Sequence, residues 1–68
     1  MNKAQTYLDE EARDTYLRRT KVLQFADSLA DPMHKEALMQ YADQLGQQYL
    51  LLVEMAKQVA DKQESATA

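Results

Sequence analysis

The chain has 68 residues, contains no cysteine and a single histidine, and carries a formal net charge of −3. These values limit it to one small domain and exclude disulfide bonds and thiolate metal sites. The negative charge makes the molecule as a whole a poor general binder of nucleic acid. Because a chain of this length rarely builds a sufficient hydrophobic core alone, we expect oligomerisation to stabilise it.

The sequence indicates a cytoplasmic protein that does not associate with membranes. Residues 2–5 lead into a charged run, whereas a signal peptide would continue into an apolar one. The longest uninterrupted apolar stretch covers residues 50–53. A membrane-spanning helix needs about 20 such residues. The lack of cysteine accords with a reducing compartment.

The first predicted element is a helix over residues 6–30, preceded by a lead-in of residues 1–5. Thr6 and Asp9 have the spacing of a capping box, and further acidic residues follow in the first turn. A start at Asn2, with Gln5 three residues later, is the alternative. Apolar residues recur at helical spacing on one side and form the candidate core: Leu8, Ala12, Tyr16, Val22, Leu23, Ala26, Leu29 and Ala30.

Asp31-Pro32 marks the one strong break in the chain. The residue before a proline is pushed out of the helical conformation, whereas proline suits the first turn of a new helix that Asp31 would cap. We therefore predict a second helix over residues 32–62 and a frayed tail over 63–68. Since one glycine and one proline leave little turn chemistry, the predicted fold class is all-α, an antiparallel two-helix hairpin.

The second helix has more apolar surface than one neighbouring helix can cover. Its core-facing positions are predicted to be Leu38, Tyr41, Ala42, Leu45, Tyr49, Leu52, Val53, Ala56, Val59 and Ala60. A second strip widens this arc to roughly 200° and consists of Met33, Ala37, Leu51 and Met55. A hairpin has no third layer to cover that strip, so we expect it to homodimerise into a four-helix bundle. The predicted interface, with a second copy or another protein, comprises Leu38, Leu45, Leu51, Leu52, Met55 and Val59.

A basic cluster in the first helix is the second candidate site. Arg13, Arg18, Arg19 and Lys21 could contact phosphates or an acidic protein surface. The plainer interpretation is a solvated face, because Asp9–Arg13 and Asp14–Arg18 have the i,i+4 spacing of surface ion pairs.

Arg19 falls within the apolar arc of the first helix, where an unpaired guanidinium would be costly. It must therefore snorkel, pair with a carboxylate or bind something, unless this part of the helix lies at an open, wet end of the bundle. Two leucines interrupt otherwise polar faces and are further candidate contacts. The predicted partner contacts are Leu17, Arg18, Arg19, Lys21 and Leu50.

The sequence contains no constellation typical of catalysis, of a metal site or of cofactor binding. His34 stands alone and is expected to pack at the corner of the hairpin. We interpret the chain as a small non-enzymatic regulator or adaptor, in one form an inhibitor, that binds itself and a larger unidentified protein. The alternative is a dimeric bundle that binds RNA or DNA through the basic cluster of the first helix.

Overall fold

The computed structural model is a hairpin of two packed α-helices, as the sequence predicts. Helix α1 spans Lys3–Asp27 and helix α2 spans Pro32–Thr67. The structure describes the backbone of residues 2–67 and the side chains of residues 2–62. Its Cα atoms occupy 56 × 14 × 10 Å. The hairpin is thus two helices wide and one helix thick, and both broad faces of the layer are open.

Helix α1 begins at Lys3, before residue 6, where the capping-box spacing predicted its start. Asn2 is the N-cap, and its side-chain oxygen accepts a hydrogen bond from the Gln5 backbone N–H at 2.6 Å. Thr6 lies inside the helix, where its hydroxyl donates to the Asn2 carbonyl at 3.1 Å. Thr6 is therefore not the cap, because the asparagine side chain already satisfies an N–H of the first turn.

The connection between the helices takes four residues, 28–31. Helix α1 ends at Asp27, short of the predicted residue 30, because bonds to i−3 carbonyls tighten its last turn. The Ser28 hydroxyl donates to the Phe25 carbonyl at 2.6 Å and the Leu29 N–H donates to the Ala26 carbonyl at 3.1 Å. Asp31 then caps helix α2 by accepting a hydrogen bond from the Met33 N–H at 2.8 Å.

The backbone of helix α2 continues to Thr67, beyond the predicted end at residue 62. The prediction that residues 63–68 fray concerns Ala68 and the side chains of residues 63–67, which lie outside the described part of the structure. The predicted helical break before Pro32 matches the structure, in which this proline opens the second helix.

The helices meet along a seam whose positions alternate by three and four residues. In helix α1 the seam consists of Leu8, Ala12, Thr15, Arg19, Val22, Ala26 and Leu29, and in helix α2 of Lys35, Leu38, Ala42, Leu45, Tyr49, Leu52, Ala56 and Val59. All of these residues are buried or half-buried. A repeat of 3.5 residues is the pattern of a coiled coil. The seam includes Thr15, a buried residue that the predicted core left out. Of the predicted core residues, Tyr16, Tyr41 and Val53 are instead 51%, 44% and 42% exposed, and Ala30 is also exposed.

Most of the buried positions in the seam carry small side chains. The buried residues are Ala12, Thr15, Ala26, Ala42, Leu45 and Ala56. Among the described residues, no large side chain is fully buried. Since burial of a large apolar side chain contributes about 1.5–3 kcal/mol and alanine much less, the hairpin has a thin core. Its stability would gain from any further layer that covers one of its faces.

Candidate interaction surfaces

Most large apolar side chains of the hairpin are exposed. Eleven of those described have exposed fractions between 40% and 76%: Tyr7, Tyr16, Leu17, Phe25, Met33, Met39, Tyr41, Leu50, Leu51, Val53 and Met55. Isolated exposed apolar residues are ordinary on protein surfaces. Here, helical geometry gathers most of them on the two broad faces of the layer, and such continuous patches are typical of interaction sites.

One broad face carries a line of depressions between the helices. Tyr16 and Val53 line the first, Leu23 and Met39 line the last, and the middle one, of about 470 Å³, lies over Gly46. We call this side the groove face and define it by Asp9, Arg13, Tyr16, Leu23, Asp27, Met39, Asp43, Gly46, Leu50 and Val53. It combines an apolar centre with charged margins of both signs.

Arg19 crosses the seam above Gly46. A Cβ atom built at Gly46 would lie 3.4 Å from the Arg19 Nε atom and 3.7 Å from its Cδ atom. Arg19 is half-buried in the middle of the seam. The alternative prediction, that it lies at an open, solvated end of the bundle, is therefore wrong. Within the described side chains, no carboxylate lies within 4.0 Å of its guanidinium. The guanidinium instead opens onto the depression that it shares with Asp43, so Arg19 snorkels.

The opposite broad face carries two stripes, one on each helix. The stripe of α1 consists of Tyr7, Glu11, Asp14, Arg18, Lys21 and Phe25, and that of α2 of Ala37, Tyr41, Gln44, Gln48, Leu51, Met55 and Gln58. We call this side the stripe face. At about 100° per residue, each stripe points roughly perpendicular to the direction of the neighbouring helix. All stripe residues are exposed except Glu11, which is half-exposed. The α2 stripe is uncharged throughout.

The predicted interface residues divide between the seam and the stripe face. Leu45 is buried, and Leu38, Leu52 and Val59 are half-buried, in the seam against α1. These four are therefore occupied inside the hairpin. Leu51 and Met55 remain exposed on the stripe face. The two sets share one predicted interface because consecutive positions of a broad apolar arc overlap on a helical wheel.

The predicted basic cluster does not form one surface. Arg18 and Lys21 belong to the stripe face, Arg13 borders the groove face, and Arg19 lies in the seam. The surface ion pairs expected of Asp9–Arg13 and Asp14–Arg18 are not formed within 4.0 Å in the described side chains. The cations of helix α1 are therefore spread around it and are not engaged by their helical neighbours.

The two isolated leucines of the sequence lie on different sides of the molecule. Leu17 is exposed on the outer side of α1, beside a depression that Glu10, Arg13 and Asp14 also line. Leu50 is exposed at the edge of the groove face. They do not share a surface, so they cannot contact one small epitope together.

His34 is exposed beside the connection, and its Nε2 atom lies 3.9 Å from Asp31 Oδ2. The expectation that it packs at the corner is wrong, because its side chain is 69% exposed. The described residues contain no group of three His, Cys, Asp or Glu side chains arranged for a metal ion. In the same part of the chain, neither helix has the length and apolar character needed to cross a membrane.

The geometry defines the chain as an antiparallel helical hairpin with a heptad seam and two open faces. Comparison with protein-family models, curated proteins and solved structures finds no match. A functional hypothesis must therefore rest on the two faces themselves.

Proposed function

We propose that the chain is a small non-enzymatic regulator or adaptor that acts through protein–protein interaction and that pairs with a second copy as a four-helix bundle. The observation that carries this proposal is the inverted distribution of apolar side chains. Four of the five buried apolar residues in the seam are alanines, whereas several tyrosines, leucines and methionines are exposed on the faces. A second helical layer would remove these side chains from water.

The dimensions of the hairpin support pairing. A broad face measures 56 by 14 Å between Cα atoms. Stable protein–protein interfaces bury about 800 Å² on each partner, so a face of this size is large enough for one. Because the layer has two such faces, pairing through one leaves the other available to a different protein.

The negative charge of the chain supports the proposal that its target protein has a basic surface. The net charge is −3, and Glu54 and Asp61 lie along the outer side of helix α2, away from the seam. An acidic helix attracts a basic surface and can occupy it, which would make the chain an inhibitor of whatever else binds there. We place this activity in the cytoplasm, in accordance with a chain that contains no cysteine.

The first test is the solution mass, measured by light scattering over a wide concentration range. We expect a dimer that dissociates on dilution, together with a melting temperature that rises with concentration, because folding and pairing are coupled. A fully helical monomer at the highest concentrations would overturn the pairing. Its apolar faces would then be free for the target protein alone.

A further inference from the structure

We propose that two copies pair through the stripe face, with each α1 antiparallel to the α1 of the partner about a two-fold axis that passes between Asp14 and Arg18. This inference rests on the pairing proposed above and adds to it the face and the orientation. It is carried by the arrangement of charge and aromatic side chains along α1.

The α1 stripe is symmetric in position and opposite in charge about its centre. An aromatic residue is followed by two acids, two bases and a second aromatic residue: Tyr7, Glu11, Asp14, Arg18, Lys21 and Phe25. Successive members are separated by 4, 3, 4, 3 and 4 residues, so the pattern reads the same spacing in both directions. An isologous interface needs a surface that complements itself under a two-fold rotation, and this stripe has that property.

The antiparallel orientation brings unlike charges together at every charged position. Glu11 faces the partner's Lys21, and Asp14 faces the partner's Arg18. Tyr7 faces the partner's Phe25, which pairs the two exposed aromatic rings. A parallel arrangement in the same register would set each charge against its own copy, and like charges in an interface are strongly unfavourable.

The stripe residues have no competing role within the hairpin. Tyr7 and Phe25 are 61% and 56% exposed. Within the described side chains, Glu11, Asp14, Arg18 and Lys21 take part in no ion pair within 4.0 Å. The aromatic and charged groups are therefore available to a second copy without breaking an existing contact.

Helix α2 is compatible with the same two-fold rotation. The Tyr16 and Tyr49 rings contact each other, so the level of the axis on α2 is near residue 49. The nearest α2 stripe residues are then Gln48 and Leu51, followed by Gln44 and Met55. Rotation places Leu51 near the partner's Gln48 and Met55 near the partner's Gln44. No charge is opposed there, so apolar contact around the axis can supply affinity while α1 fixes the orientation.

The groove face does not have this complementarity. Its positions on α1 also alternate by three and four residues, from Asp9 to Asp27. A two-fold rotation about the centre of these positions sets Asp9 against the partner's Asp27. This contact is repulsive, and it occurs at both ends of the interface. Charge thus selects the stripe face for self-association and leaves the groove face to other proteins.

Charge-swapped variants test the proposal directly. Glu11→Lys with Asp14→Lys makes the α1 stripe wholly basic, and Arg18→Glu with Lys21→Glu makes it wholly acidic. We expect each double variant to raise the dimer dissociation constant by about 100-fold, because four charge pairs become repulsive. An equimolar mixture of the two should form a heterodimer. The quadruple variant should recover the native homodimer, since its reversed pattern again complements itself only when antiparallel.

The control variant is Asp9→Lys with Asp43→Lys, which changes net charge as much as the basic double variant but lies on the groove face. It should keep the native dissociation constant. Native-like self-association of the basic double variant, or a quadruple variant that stays monomeric while helical, would overturn the proposal. If the unchanged chain dimerises in that case, the proposed pairing survives without this face. If the unchanged chain is monomeric, both fail. Should a double variant unfold alone, recovery of helix and mass in the mixture supports the proposal, and failure to recover them refutes it.

Discussion

The rings of Tyr16 and Tyr49 pack against each other across the groove face, with centroids 5.6 Å apart and planes tilted by 55°. Tilted aromatic pairs of this separation are favourable beyond the area that they bury. Three residues further along α1, Arg19 contacts Gly46, which lies three residues back along α2. Together the two contacts fix an antiparallel register for the hairpin.

A double-mutant cycle measures the contribution of the tyrosine pair. Tyr16→Ala and Tyr49→Ala should show a coupling free energy of about 0.5–1.5 kcal/mol, because each substitution alone already removes the ring contact. The measurement is urea denaturation at one protein concentration. The control cycle combines Tyr16→Ala with Tyr41→Ala, on the opposite face, and should be additive. Additivity of the Tyr16 and Tyr49 substitutions would contradict the packing.

Two matched pairs of substitutions separate the faces in self-association. Leu51 and Met55 on the stripe face are 59% and 40% exposed, and Leu50 and Val53 on the groove face are 65% and 42% exposed. Leu51→Glu with Met55→Glu should abolish the dimer and leave residual helix, since it sets four carboxylates near the axis. Leu50→Glu with Val53→Glu should leave the mass unchanged in light scattering. A dimer that resists the first pair and yields to the second would move the interface to the groove face.

Gly46→Ala should stabilise the hairpin. Glycine inside a helix costs up to about 1 kcal/mol relative to alanine. The new Cβ would meet Arg19 Nε at 3.4 Å, which is the near limit of van der Waals contact with a flexible side chain. We expect the free energy of unfolding to rise by about 0.5–1 kcal/mol in urea denaturation. A fall after this substitution would show that Arg19 cannot shift, whereas Gly46→Leu should destabilise the hairpin because it fills the space of the Arg19 stem.

Asp31→Ala should lower the free energy of unfolding by about 1 kcal/mol, because it removes the side-chain acceptor of the Met33 N–H bond. Asp31→Asn is the control, since asparagine caps a helix about as well and differs chiefly in charge. Thermal denaturation followed by circular dichroism gives both values. Equal stabilities of the alanine and asparagine variants would show that the cap contributes nothing.

Nucleic-acid binding distinguishes the alternative hypothesis. Because the cations of α1 point in several directions, we expect no measurable binding of single- or double-stranded RNA or DNA at low salt. A salt-dependent affinity that Arg18→Ala with Arg19→Ala abolishes would restore the nucleic-acid hypothesis. Glu11→Gln with Asp14→Gln is a useful companion, since it should strengthen such binding by removing repulsion from the same helix.

Local signals in the sequence were sufficient for the elements of the fold. The pair Asp31-Pro32 located the start of α2, because the cap and the fixed proline φ act within one turn. The start of α1 was ambiguous in the sequence, since both Asn2 and Thr6 are good caps. The structure shows that Asn2 is the cap, which makes the helix longer than a start at Thr6 would. Helix ends of this kind depend on a single hydrogen bond.

The seam was harder to predict, because paired helices supercoil to a 3.5-residue period whereas a straight wheel assumes 3.6. That drift placed Tyr16 in the core and excluded Thr15, a buried polar residue. The predicted interface also grouped Leu45, which is buried in the seam, with Leu51, which is exposed. The excess of apolar surface near Leu51 and Met55 was nevertheless visible, since a run of four apolar residues must expose some of them.

The four-residue connection also determines the order in which the hairpin assembles. Ala26 and Leu38 are brought together by a very short loop, so their contact costs little chain entropy and can form first. We expect pairing to proceed outward along the seam, so that Leu8 and Ala56 at the far end meet last. In the reverse direction these ends separate first, so amide hydrogens beside them should exchange with solvent through local opening while those beside the connection remain protected.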